Sequence, residues 1–336
     1  MRSWKMAMAI LKRVTAILVL LPALTIHGQP GQVSGPVAGY VFDGAALRVV
    51  AGLPGGATLG GALDLGLAAS AAVVSPQLDS AIVTASDGTL HLFRLSGQSA
   101  TEVQWNGLPQ GPARVEYSPS GVAAAVYAAG RVQVFTGLPN APLAAFAANL
   151  GLSQAEPGRK PASAAPESMA VSDDGAWLLV ASEGRVRLLG SSGSDSVLME
   201  RVRSVFVAFA PGTHAAAALD GAGPSLGVFP DVSLAQRLFI AAPGFADPAG
   251  LVFSADGKLV LAAARGSKSV WVFDLAGFDL PMLTEPTAIE CSCAVTGVAR
   301  MGRFFRLTEA APGPVWLVDT AATPARIVFV PARANL

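Results

Sequence analysis

Residues able to do chemistry are few in this chain, and their spacing limits what they can do. Three histidines occur in 336 residues. His27 falls in a segment read below as removed on export, which leaves His91 and His214. A two-histidine metal site also needs a carboxylate close by, and these two lie in repeat units that are not neighbours. Hydrogen-bonded or exposed histidines are therefore expected, with no metal and no cofactor. Cys291-Ser292-Cys293 is the only cysteine pair. Two residues apart on a strand they would share a face about 6.6 Å apart, near the upper limit for a bridge. A local disulfide there would be strained and redox-labile. Free or intermolecular thiols are the alternative, and an exported context favours oxidation. No Cys-x-x-Cys, Gly-x-Ser-x-Gly elbow, phosphate-binding loop or dinucleotide fingerprint is present.

Carboxylates recur beside the turn between the second and third strands of successive units: Asp43, Asp87, Glu183, Asp220 and Glu309. If these turns share a face, a ring of carboxylates could hold a cation or a basic partner. Asp87-Gly88 and Asp220-Gly221 also read as ordinary hairpin turns. Arg265 and Lys268 occupy the same turn of another unit, where they either meet an anionic ligand or are simply solvated. Trp271 and Trp316 sit at one equivalent position of neighbouring strands. They could form an aromatic patch for a sugar or peptide, or pack between units.

The elements that position these residues repeat. One phrase, an apolar residue, a variable residue and two apolar residues, occurs seven times. It starts at Leu47, Leu90, Val132, Val186, Leu226, Val270 and Val315. The intervals are 43, 42, 54, 40, 44 and 45 residues. A period of this size in strand-like sequence marks a propeller blade. The clearest unit has a strand at Leu251–Ser254, an Asp256-Gly257 turn, a strand at Leu259–Ala263, a loop at Arg265–Lys268 and a strand at Val270–Asp274. A more polar outer strand should follow. Six units show a first strand and seven show the third. In the N-terminal unit, with Tyr40-Val41-Phe42 and Leu47 to Val50, the missing strand would come from Gln32 to Pro36 or from Ala325 to Val330. The second choice would close the ring by pairing the chain ends and remove an open edge. The many alanines suit inner strands converging on an axis. The expected fold is all-β: one propeller of seven four-stranded blades, with six or eight as alternatives. The long interval places an extended loop at 151–168, either an irregular excursion or part of a binding surface.

Composition agrees with a large folded core: 52% of residues are hydrophobic and 14% charged. Net charge is +0, from 23 basic and 23 acidic residues. Arg2, Lys5, Lys12 and Arg13 precede an uncharged run from Val14 to Leu24. Eleven helical residues rise only about 16 Å, short of the roughly 30 Å hydrocarbon core. Residues 1–28 thus read as a cleaved signal peptide, and 29–336 as the propeller domain. Without those four residues, 19 basic side chains face 23 acidic ones. A weakly acidic chain without basic clusters argues against nucleic acid as a partner. No other stretch is apolar and long enough to span a bilayer. An exported monomer, periplasmic or secreted, is expected.

Phe253-Ser254-Ala255-Asp256-Gly257-Lys258, the apolar strand after it, Arg265-Gly266-Ser267 and Val270-Trp271-Val272-Phe273-Asp274 together resemble a blade of the bacterial YVTN/lactonase-type propellers. The turn is also similar to that of WD40-like and TolB-like repeats. Weaker echoes occur in about four more units. The chain departs from eukaryotic WD40 repeats in lacking a Trp-Asp ending and a Gly-His start. Activities in that superfamily include lactone hydrolysis, quinoprotein oxidation, glycan recognition and scaffolding, and fold alone does not choose among them. The expected role is a non-catalytic module binding a protein, peptide or glycan through loops on one face. The alternative is a lactonase-type hydrolase with its site at the central channel.

Overall fold

In the computed structural model, residues 35–53, 55–112, 114–150, 165–203, 205–223, 225–234, 236–275, 285–307 and 314–331 are described. They form seven antiparallel sheets and no helix, arranged as a seven-bladed β-propeller. Residues 1–28, read above as a signal peptide, lie outside the described residues, as do Glu309 and positions 151–164 of the expected loop. Ser168, placed in that loop from sequence, is instead the first residue of a strand.

Blade I contains β1 (Val37–Phe42), β2 (Leu47–Ala51) and β3 (Thr58–Ala62). Blade II has β4 (Ala69–Val74), β5 (Ser80–Ala85), β6 (Leu90–Ser96) and β7 (Ser99–Val103). Blade III has β8 (Arg114–Tyr117), β9 (Ala123–Ala128), β10 (Arg131–Thr136) and β11 (Leu143–Asn149). Blade IV has β12 (Ser168–Val171), β13 (Trp177–Ser182), β14 (Arg185–Gly190) and β15 (Asp195–Glu200). Blade V has β16 (Phe206–Phe209), β17 (Ala216–Asp220), β18 (Ser225–Phe229) and β19 (Leu238–Ala241). Blade VI has β20 (Pro248–Phe253), β21 (Leu259–Ala264), β22 (Ser269–Asp274) and β23 (Thr287–Glu290). Blade VII has β24 (Ala299–Met301), β25 (Phe304–Arg306), β26 (Val315–Asp319) and β27 (Arg326–Val330). Each sheet is a simple meander in chain order. The sevenfold phrase falls on the penultimate strand of every blade.

The core is a ring of seven apolar layers, one between each pair of adjacent blades. Leu92 and Ile82 of blade II pack with Ala124, Val126 and Phe135 of blade III. Equivalent layers join III to IV, IV to V, V to VI and VI to VII. The ring closes through Val41 and Val50 of blade I against Phe304, Val315 and Leu317 of blade VII. The alanines lie mainly on the second strands. Ala123, Ala124 and Ala125 of β9 and Ala216, Ala217 and Ala218 of β17 are fully buried. A second strand has a neighbouring blade against each face, so small side chains let the sheets approach. Innermost strands have the channel on one side. Outer strands are the most exposed of each blade, polar in β7 but made mostly of Leu, Ala and Phe in β11.

The turn joining first to second strands is built the same way in several blades. Ser172 is fully buried, and its Oγ donates to Asp174 Oδ1 at 2.6 Å and accepts the Trp177 N–H at 2.9 Å. Ser254 repeats this with Asp256 and Leu259 at 2.6 and 2.9 Å. The serine thus replaces backbone partners that a tight turn withdraws. Gly175 and Gly257 then take φ values of 67° and 72°, a left-handed conformation suited to glycine.

Blade I has three strands among the described residues, and β1 is a second strand, not an innermost one. Its end, Phe42 and Asp43, lines the same cavity as the beginning of β4, Ser70 and Ala71. Its beginning, Ala38, packs in one layer with Leu78, which lies beyond the end of β4. β1 therefore runs against β4. The Gly302 N–H donates to the Pro76 carbonyl at 3.1 Å, so the turns of blades VII and II meet across blade I. Arg326–Val330 pairs with β26 as the outer strand of blade VII and does not supply the missing strand. Of Gln32 to Pro36, positions 32–34 lie outside the described residues.

Replacing Ser172 by alanine removes a buried donor and acceptor at once and should cost roughly 1–3 kcal/mol. Ser191→Ala, at an exposed position, should stay within about 0.5 kcal/mol of the parent protein. Urea midpoints of the two variants measure both.

Candidate functional site

The innermost strands β4, β8, β12, β16, β20 and β24 surround a central channel. On β8, Val115 and Tyr117 pack outward into the layer between blades II and III. Alternation then turns Arg114 and Glu116 to the channel. The channel has two chemically different ends.

At the end carrying the second-to-third-strand hairpins, a cavity of about 380 Å³ is lined by Arg114, Glu116, Glu167, Arg265 and Arg306 among others. Arg114 Nε meets Glu116 Oε1 at 3.0 Å, and its Nη1 donates to the Glu167 carbonyl at 2.7 Å. Glu167 Oε2 in turn accepts the Val205 N–H at 3.4 Å. Arg265 Nη1 lies 3.6 Å from Asp247 Oδ1. Glu116 keeps about 33% of its side-chain surface open to the channel. The surrounding wall nevertheless pushes its carboxyl pKa above the usual carboxylate value, against the opposing pull of Arg114.

At the opposite end the first-to-second-strand turns converge. Here a cavity of about 160 Å³ is walled by apolar residues such as Val171, Phe209 and Phe253, together with Glu116 and Arg300. Arg300, on β24, is only 8% exposed. It reaches across the channel and donates from Nη2 to the Pro119 carbonyl of blade III. Its Nε is buried without a hydrogen-bond partner. Burial lowers its pKa, and the field of Asp173 partly restores it. Asp173 ties three blades together: Oδ1 accepts from Ser120 N at 2.7 Å and Ser120 Oγ at 2.6 Å, and Oδ2 accepts from Gly212 N at 2.7 Å. A third cavity, of about 710 Å³, opens beside β1 between β4 and β24 and shares Glu116 and Arg300 with the turn end.

The residues singled out from sequence are distributed around the hairpin face. Asp43 accepts the Ala45 and Ala46 N–H groups at 3.0 and 2.7 Å, pairs with Arg48, and lines the cavity beside β1. Asp87 caps its own turn, accepting Thr89 N at 2.9 Å and Thr89 Oγ1 at 2.6 Å. Asp220 accepts Arg203 N at 3.0 Å and Ala222 N at 2.9 Å. Glu183 has a φ of 51° and borders an outer cavity with Arg185, Arg201 and Arg203. Arg265 reaches the channel mouth, whereas Lys268, φ 47°, holds its carbonyl to the Cys291 N–H at 2.8 Å. Of those among the described residues, Asp43 and Arg265 meet the channel cavities.

Cys291 and Cys293 are disulfide-bonded, with Cα atoms 5.1 Å apart. They follow β23 on a bend, not on a strand. The bend brings the two Cα atoms closer than the span expected from strand geometry. His91 Nδ1 meets Glu102 Oε1 at 2.7 Å, and His214 Nε2 meets Asp174 Oδ2 at 2.8 Å. Among the described residues, no three His, Cys, Asp or Glu side chains are grouped to hold a metal ion. Trp271 packs edge-on to Phe245 at 6.0 Å and donates from Nε1 to Ser269 Oγ at 3.0 Å. Trp316 packs on Phe329 at 5.6 Å.

No protein-family model matches the chain, and no curated protein matches it in sequence. Among solved structures it resembles a functionally unknown protein from Desulfotomaculum acetoxidans DSM 771. The TM-score is 0.57 at 14% identity, over 87% of this chain and 94% of that one. The likeness is one of fold. Arg114, Arg300 and Asp173 were not singled out from sequence. The available signals were charge inside otherwise apolar inner strands for the two arginines, and the extra aspartate, the first of the pair in Ser172-Asp173-Asp174-Gly175.

Two outcomes follow from these contacts. Asp173→Ala removes an anionic acceptor shared by three blades and should cost about 2–3 kcal/mol in urea denaturation. Acidification should destabilise the fold. The Asp87 carboxyl is held low by the Thr89 hydroxyl and N–H, and that of Asp256 by the Ser254 hydroxyl, against its partial desolvation. Both have folded pKa values below the unfolded value of 3.8. The unfolded chain therefore takes up protons first as pH falls. Their contribution is complete above the unfolded pKa and is lost as pH drops through the folded one. Urea midpoints between pH 7 and 3 should fall, and less steeply in Asp256→Asn.

Proposed function

We propose that this protein is an exported, non-catalytic recognition module that binds a protein or peptide segment on its hairpin face. The observation carrying this reading is the mixed-charge mouth formed by Arg114, Glu116, Glu167, Arg265 and Arg306. These groups come from several blades, and Arg114 and Glu167 are held by backbone hydrogen bonds. Fixed charges of both signs favour a partner carrying both signs and disfavour a polyanion. A glycan is less well served, because Trp271 and Trp316 are occupied in packing. Membership of the YVTN/lactonase-type superfamily belongs to the same proposal and stands on the turn and strand motif of blade VI.

One observation favours the hydrolase alternative. Glu116 is a carboxyl in a channel wall with its pKa raised, the condition of a general acid. Purified protein displayed to a peptide-phage library separates the two readings. Selected peptides should bind the parent protein and lose affinity by about tenfold or more in Arg265→Glu. Turnover of a lactone panel that disappears in Glu116→Gln, with no peptide selected, would replace the binding reading by the hydrolase.

A further inference from the structure

Arg300 has more donors than the surrounding chain uses. A guanidinium carries five N–H groups. Among the described residues, Arg300 makes one hydrogen bond, to the Pro119 carbonyl, and its Nε is buried without an acceptor. The two nearby carboxylates are already engaged. Asp173 is taken by Ser120 and Gly212, and Glu116 by Arg114. A buried cation held this way is costly unless an anion completes its shell. It borders a cavity of about 160 Å³ whose wall is otherwise mainly apolar, including Val73, Val171, Phe209 and Phe253.

We propose that the turn end of the channel binds a small organic carboxylate, with Arg300 taking the carboxylate and the apolar wall a body of about six carbons. A cavity of this size matches one that holds benzene. An inorganic anion would satisfy the guanidinium and leave the apolar wall empty. A neutral apolar molecule would fill the wall and leave the remaining guanidinium N–H groups unmet. An apolar carboxylate meets both. Access is from the side of blade I, where the cavity of about 710 Å³ shares Val73, Glu116 and Arg300 with the smaller one. This site lies toward the turn end of the channel and shares the Glu116 wall with the hairpin mouth, but Arg300 itself does not line that mouth.

Titration calorimetry with benzoate and hexanoate, against benzamide, hexanamide and inorganic phosphate, tests the assignment. At least one carboxylate should saturate at one per chain, with its amide about tenfold weaker or worse. Arg300→Met should lose that binding by a similar factor while keeping a urea midpoint no lower than the parent. Val73→Phe, which narrows the cavity and leaves Arg300 in place, should lose it too. If Arg300→Met fails to fold, the amide comparison and Val73→Phe decide. The proposal is overturned if neither carboxylate binds below about 10 mM, if amides bind equally, if phosphate binds in preference, or if Val73→Phe binds like the parent.

Discussion

Burial of apolar side chains between neighbouring blades is the constraint on which the structure depends. No blade has a core of its own. Each sheet is one layer thick, and its two faces are covered only by the sheets before and after it. Leu92 is sealed by blade III and Phe93 by blade I, although the two residues are adjacent in sequence. Such a stack leaves two bare faces unless it closes, and the layer between blades VII and I supplies the closure. The consequence is an axis that cannot be filled. The inner strands converge as far as their backbones allow, and the channel is what remains.

Among the described residues, closure is made by side chains and turns: β27 completes blade VII, and the described part of blade I begins with a second strand. The turns of blades VII and II then meet through Gly302 and Pro76, and Asp173 ties the turns of blades III, IV and V. One face of the disc is therefore pinned by polar contacts between turns. The other is set by hairpins capped by their own carboxylates, as at Asp43, Asp87 and Asp220. The two ends of the channel differ chemically for this reason. One is a mouth of paired charges, and the other an apolar pocket with a single deeply buried guanidinium.

The blade pattern was legible because it is local. A strand, a Ser-x-Asp-Gly turn and a penultimate strand with its four-residue phrase each leave a mark within about 25 residues, and the repeat multiplies that mark. The carboxylates of the hairpins were legible for the same reason, and the contacts of Asp87 turn out to be local too: it bonds to Thr89, two residues on, whereas Asp220 also reaches Arg203, 17 residues away. The disulfide lay between the two cases. The pairing was visible in the spacing, but the bend that brings the Cα atoms to 5.1 Å was not.

What the amino-acid order carries by itself, then, is the blade repeat and the order of strands within a typical blade, since both follow from side-chain alternation and turn chemistry between near neighbours. What tertiary structure alone decides is which charges meet. Arg300 and Pro119 are 181 residues apart, and Asp173 reaches partners 53 and 39 residues away. No periodicity encodes those distances. They exist because a closed ring brings the ends of separate strands to one axis, where low polarity makes each unpaired charge count for more than it would on the surface.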